Sequence, residues 1–447
     1  MRYEGFTWSQ QVEVNVWDLG GRGDGRTDNT AVLQQAIDQV AAQASALCQG
    51  IVLVPAGTWL TGPLELKSYV TLRLDVETTL KALPEPTRFK SAYIGAPFAP
   101  GEALIYAHRA THCGIESWNK EGAAAATIDG NGATWWPQAQ EARTWLKNGE
   151  VERFTQAFPG VVTANGMPRP WLIEFSECSE VELTGLEITN SPMWTLVLRN
   201  CERVLIEQVN ITNPESAPNT DGIDVVSSRD VTITGCSVDT GDDNIAIKSG
   251  LKQDGAPRSE RILIDDFYFE HGHGLSVGSE TANGIGAVTV ARGTFERTGT
   301  GIRVKTARDR GNQIGPLEVR QVKLQQVETP LLLTCSYAGQ SGVGDDAVME
   351  ALVAPLEAAA PSATTPYVHD ISLEDVTARE AKFGLVLSGL PEAPLSGVTL
   401  RNVKVESQYG LAARYVTGAL VNCDIKATQG EPLRFGPECA LEVRTEA

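Results

Sequence analysis

The feature that most limits what this chain can fold into is a recurrence of short alternating segments. Val181–Ile188, Val204–Ile211, Val231–Val238, Ile262–Phe269, Val288–Phe295, Ile371–Ala378 and Val398–Val405 all alternate apolar with polar residues. A period of two is that of a strand with one buried face. After residue 170 these segments recur at roughly 22 to 31 residues, with turn residues between them. No helical pattern separates them, so strand–helix–strand architecture is not expected. One such repeat is too small to bury its own apolar face. Coils must therefore stack about 4.8 Å apart, and a parallel β-helix is the predicted fold.

A second strand lies in the same coils. Asp221–Val225, Asp243–Ile247, His273–Val277 and Thr300–Val304 align on Ile223, Ile245, Leu275 and Ile302. The residue after each is Asp224, Ala246, Ser276 or Arg303, so stacking gathers one outward column. The length of 447 residues would alone suggest two or three domains, but a repeat overrides that prior. We expect one all-β domain over 1–447, with an N-terminal cap over about 1–50. Within the cap, Asp28–Thr30 supplies capping side chains, and Val32, Leu33, Ala36, Ile37 and Val40 recur at helical spacing. The glycines from Gly20 to Gly25 lack both a preceding dinucleotide-fold strand and a following Gly-Lys-Ser/Thr, which argues against a phosphate loop. Residues 131–170 and 337–366 break the repeat and are predicted to be loops walling a cleft.

Charge narrows the partners. With 37 basic and 56 acidic residues the net charge is −19, against nucleic acid and against anionic membrane. No apolar run is long enough for a spanning helix. Eight scattered cysteines without a CxxC pair read as buried thiols of a reducing compartment. The start carries no signal-peptide pattern, so a cytoplasmic location is expected, or a secreted one if the chain is a processed form.

The predicted outer face carries Asp221, Asp242, Asp243, His273, Arg303 and Lys305. Taken singly, each has a plain reading as turn chemistry or a solvated strand edge. Three carboxylates near a histidine also admit a metal. Together they favour acid–base chemistry, because adjacent carboxylates cannot all ionise comfortably and one pKa should rise. An acid beside ionised bases is what glycoside hydrolysis needs. Arg303 and Lys305, two residues apart on one strand, suit an anionic group on the substrate.

Asn219-Thr220-Asp221, Gly241-Asp242-Asp243, Gly272-His273-Gly274 and Arg303-Val304-Lys305 occur in the order of four motifs of glycoside hydrolase family 28, the polygalacturonases. Thr127–Gly132 followed by Trp135-Trp136 also resembles that family's early coil. The resemblance spans roughly residues 15 to 425. It implies a right-handed parallel β-helix and inverting hydrolysis of α-1,4-galacturonosyl bonds in pectic poly- or oligosaccharides, without a metal or other cofactor. By motif, Asp242 would be the general acid, Asp221 and Asp243 would position and activate water, and His273 would support the acid. Arg303 and Lys305 would hold a galacturonate carboxylate, with Asn219 and Tyr337 as further substrate contacts. The long loops and the motif contexts point to exo action. A pectate-lyase-type enzyme and a non-catalytic glycan-binding β-helix are the alternatives.

Overall fold

The alternating segments become strands because every second side chain is apolar and can be turned inward. In a computed structural model, residues 8–118, 125–161, 163, 167–337 and 345–446 are described. The chain forms two compact units, Met1–Asp224 with Asp230–Asp242, and Val225–Arg229 with Asp243–Ala447.

The first unit is a stack of three-sided coils. One side runs in parallel register from Gln10–Asn15 through Cys48–Val54, Val70–Asp75, Thr111–Trp118 and Ser179–Thr184 to Glu202–Glu207. A second includes Gly57–Thr61, Thr78–Ala82, Ala126–Asp129, Leu186–Thr189 and Asn210–Thr212. The third side, on which the site is built, consists of Leu64–Leu66, Ala103–His108, Trp171–Ser176 and Leu196–Arg199. Strands thus begin well before residue 170. Their repeat is masked in the sequence by long connections at 83–102 and 130–170.

The second unit repeats the plan with longer strands. Glu260–Glu270, Val288–Glu296, Leu317–Gln325 and Ile371–Phe383 pair in parallel and each turns a corner. At the corner Asp266, Arg292, Gln321 and Asp375 take φ of 52°, 51°, 56° and 54°. These residues occupy one register column, and the left-handed conformation redirects the strand without breaking the ladder. The third side runs from Ile245–Lys248 through Leu275–Gly278, Thr300–Lys305, Thr329–Thr334 and Leu385–Ser388 to Leu411–Arg414. Ile245 pairs with Leu275 and Leu275 with Ile302, the alignment read from the sequence. The coil of Leu317–Gln325 and Thr329–Thr334 escaped that reading.

Three expectations change. The capping helix spans Thr30–Ala41 with Leu33, Ala36, Ile37 and Val40 buried, but Asn29 makes no side-chain cap bond. Its carboxamide instead accepts from Arg22 N and donates to Arg22 O and Thr27 O, pinning the glycine-rich segment. Asp28 takes the capping role, accepting from Thr30 N at 2.9 Å. The glycines serve packing: a Cβ on Gly21 would lie 2.7 Å from the buried Trp59 ring.

Residues 131–170 are not an open loop. They hold helices Trp136–Lys147 and Val151–Ala157, which bury Trp135, Ala139, Ala142, Phe154 and Met167 together. Of the predicted 337–366 loop, 338–344 lie outside the described residues, and Asp345–Val353 is helical. Finally, all eight thiols are free, but Cys48, Cys423 and Cys439 are only half-buried.

Candidate active site

In the first unit the candidate residues lie at the turn that leads into the third side. Thr195 N donates to Asp221 O at 2.8 Å and Leu196 N to Gly222 O at 3.0 Å. The ladder therefore fixes Asp221 one coil on from Leu196–Arg199. Asn219 adopts a left-handed φ of 57°, which asparagine tolerates. Arg169, fully buried, holds this turn. It donates to Pro192 O at 3.0 Å, Pro218 O at 2.7 Å and Asn219 Oδ1 at 2.8 Å. Burial pushes the Arg169 guanidinium down to about 9, as does Arg143, while Asp242 and Asp221 oppose the shift. Arg169 is therefore cationic at neutral pH and acts electrostatically on both aspartates.

Asp221 is buried and Asp242 half-buried. The segment before Asp242 is clamped: Gly241 N donates to Thr220 Oγ1 at 3.1 Å. A Cβ on Gly241 would lie 2.4 Å from Ala217 O, so the Gly-Asp-Asp motif needs glycine for close backbone approach.

The second unit holds an ion cluster around Asp243, which is 1% exposed. Arg303 Nη2 donates to Asp243 Oδ1 at 2.5 Å and Lys305 Nζ to Oδ2 at 2.7 Å. Ser276 Oγ donates to Asp243 Oδ1 at 2.9 Å and accepts from Arg303 Nε at 3.0 Å. His273 Nδ1 lies 3.7 Å from Asp243 Oδ1. Burial alone would push the Asp243 carboxyl up. Lys305, Arg303, His273 and Lys248 outweigh it and hold the group far below the ordinary carboxylate range.

The strand pattern explains the convergence. Ser276 pairs with Arg303, and Gly278 with Lys305, on adjacent strands. Both cations alternate with Val304, whose side chain is in the core. Asn244 Oδ1 accepts from Gly274 N at 2.8 Å, tying the Asp-Asn segment to the His-Gly turn. Tyr337 N donates to Thr306 O at 2.9 Å, and Lys305 Nζ lies 5.9 Å from the Tyr337 ring centre.

The structure thus gathers Asp243, His273, Arg303, Lys305 and Tyr337 in the second unit, and Asn219, Asp221 and Asp242 in the first. Arg303 and Lys305 point away from the core as expected, yet they are 4% and 8% exposed and already grip a carboxylate. Sequence reasoning missed Arg169, Lys248 and Ser276. Ser276 was visible in the aligned column between Ala246 and Arg303. Arg169 had no signal, because it lies in the stretch that breaks the repeat.

Residues 47–423 match the family described as Glycosyl hydrolases family 28. The chain belongs to that family and is a glycoside hydrolase with a right-handed parallel β-helix fold. It is 27% identical over 410 residues to a probable polygalacturonase of Vitis vinifera, covering 88% of this chain and 74% of that one. It is 29% identical over 362 residues to an endo-polygalacturonase of Pectobacterium parmentieri, 78% of each chain. Its fold superposes on a hyperthermoactive exopolygalacturonase from Thermotoga maritima with a TM-score of 0.73. That match has 25% identity and covers 94% of this chain and 93% of the other.

Proposed function

We propose that this chain is a polygalacturonase that hydrolyses α-1,4-galacturonosyl bonds of homogalacturonan or its oligomers, with inversion and from chain ends. One observation carries the substrate class. Two cations, Arg303 and Lys305, converge on the buried Asp243 in a chain whose net charge is −19. Lys305 commits one of its three N–H donors to Asp243, and Arg303 commits two of five. The remaining donors suit a sugar carboxylate, and screening over about 8 Å isolates them from distant acids.

The environments support the following roles. Asp242 gives its proton to the leaving glycosidic oxygen as general acid, supported by His273. Water attacks the anomeric carbon from the opposite face as that bond breaks, and its proton passes to a carboxylate. Asp243 is held too acidic to take a proton readily and so orients the water. Asp221 accepts the proton. Asn219 and Tyr337 line the bound sugar. Exo action is supported by the folded insertions of the first unit and by likeness to the exopolygalacturonase, although the Pectobacterium relative is named as an endo-enzyme.

A time course on polygalacturonate, with products resolved by size and anomer, tests this. Monogalacturonate of inverted configuration should appear from the start, with EDTA having no effect. Early mid-length oligomers would overturn exo action. A retained anomer would overturn inversion, and an unsaturated uronide or activity lost to EDTA would overturn hydrolysis without a metal.

A further inference from the structure

The third side of the first unit is not open along its length. Residues 83–102 connect Thr78–Ala82 to Ala103–His108 and fold over the outward surface of these strands. Ala92 is fully buried among Ala103, Trp171, Met193 and Val197. Phe98 stacks on His108 with ring centres 4.2 Å apart. Ala92 N donates to Arg169 O at 3.0 Å, and Arg169 is the residue that holds the Asn219 turn. Beneath this segment the outward positions Glu174 and Val197, which pair with each other across adjacent strands, are 0% exposed.

A single buried arginine ties the segment to the strands. Arg199, on the coil next to Asp221, donates through Nη1 to Ala96 O at 2.9 Å and through Nη2 to Glu102 Oε1 at 2.6 Å. The same Nη2 reaches Glu174 Oε1. Ala96 and Glu102 belong to the covering segment, whereas Glu174 belongs to the strand Trp171–Ser176. The planar fork thus spans both, and its geometry is directional in a way apolar packing is not. Burial pushes Glu174 up to about 9; Arg199 opposes the shift and Glu102 adds to it. Glu174 is therefore neutral at pH 7, and one guanidinium faces one carboxylate. A buried cluster of this kind adds little stability over apolar residues of similar volume, so its value lies in fixing an arrangement.

We infer that residues 83–102 are a wall closing the strand face one coil from Asp221, and that Arg199 is the positioning residue that latches it through Glu102 and Ala96. One coil is about 4.8 Å, close to the length of one pyranose ring. With the adjacent coil covered, the wall limits the sugars that fit on its side of Asp221, so cleavage releases short products from one end. The proposal rests on the exo reading above and supplies its structural cause.

The test compares wild type with Arg199→Ala/Glu102→Ala and with the isosteric Glu102→Gln, which keeps the packing if the double variant does not fold. Two readouts are taken: amide hydrogen exchange of residues 84–102, and product lengths from polygalacturonate. The wall's exchange is expected to quicken roughly tenfold or more while the coil strands keep their protection. Di- and trigalacturonate should then appear beside the monomer. A folded variant whose wall exchanges as slowly as wild type overturns the latch. Faster exchange with monomer as the sole product overturns the wall as the length-setting element and leaves exo action standing. Mid-length products from the wild type would instead fell the exo reading itself, and the wall's role with it.

Discussion

The two units hold their aspartates by opposite means. In the first, the turn carrying Asp221 is fixed through backbone and amide groups: Asp221 O accepts from Thr195 N, while Arg169 grips Pro218 O and the Asn219 carboxamide. In the second, Asp243 is fixed through its carboxylate by Arg303, Lys305 and Ser276. A carboxylate whose oxygens are taken by cations stays ionised and still. The turn held by its backbone positions its acid through main-chain and amide contacts, and Arg169 acts on that acid electrostatically. Adjacent residues, Asp242 and Asp243, can thus serve different steps because they belong to differently supported segments.

The sharpest way to break this comparison is to neutralise each aspartate separately. Asp242→Asn should lower kcat roughly 10³-fold with an unchanged melting temperature, since the half-buried side chain supplies chemistry rather than support. Asp243→Asn should lose activity and also about 3 kcal/mol of stability, because it leaves buried Arg303 and Lys305 without their anion. The sign of the pH effect follows from the lowered folded value. The Asp243 contribution is complete above the unfolded pKa of about 3.9 and is lost only as pH falls toward the folded one. The melting gap between wild type and Asp243→Asn should stay constant from pH 5 to 8. Equal melting temperatures at neutral pH would contradict the ion-cluster account.

Arg169→Met comes next in size. It removes the donors to Pro192 O, Pro218 O and Asn219 while keeping bulk. A displacement of the Asp221 turn should cost roughly 10² in kcat, with KM changed far less. If KM rises and kcat holds, Arg169 binds substrate instead of positioning the turn.

The smallest effect concerns the latch. Glu174 has a folded pKa raised to about 9 from an unfolded value of about 4.3. Its contribution is therefore full below pH 4.3 and is lost as pH rises through 9. Glu174→Gln is neutral at every pH, so its melting temperature should gain on wild type by roughly 1 °C for each pH unit between 5 and 9. Parallel melting curves over that range would show that Glu174 is already ionised.

The insertions also differ between the units. In the first, 83–102 and 130–170 lengthen the turns entering the third side. In the second, the corresponding turns are short, at 271–274, 297–299 and 326–328. Both loops that break the repeat were visible in the sequence from residue 131 onward as gaps. The wall at 83–102 was not, because Leu83–Glu102 carries no repeat to be absent from until the coils on either side are known. The helices of 130–170 were missed because their apolar residues pack on one another in a satellite core, away from the strand period. Leu317–Gln325 was overlooked beside the more regular segments although it carries the alternation, whereas Thr329–Thr334, with three consecutive leucines, does not.

Local periodicity by itself determines most of the architecture. A period of two with coil-length recurrence leaves few ways to bury apolar faces, and the motifs in their order named the family. What remained was side-chain partnership. Arg303 and Lys305 read as outward clamps, but they reach Asp243 across 60 and 62 residues of sequence. Arg199 reaches Glu102 across 97. Such contacts depend on coil register and on where an insertion folds back, which no local pattern encodes. The candidate residues were thus legible in the strand-forming sequence, whereas the ion cluster that holds Asp243 and the support of the Asp221 turn by Arg169 were decided by tertiary structure.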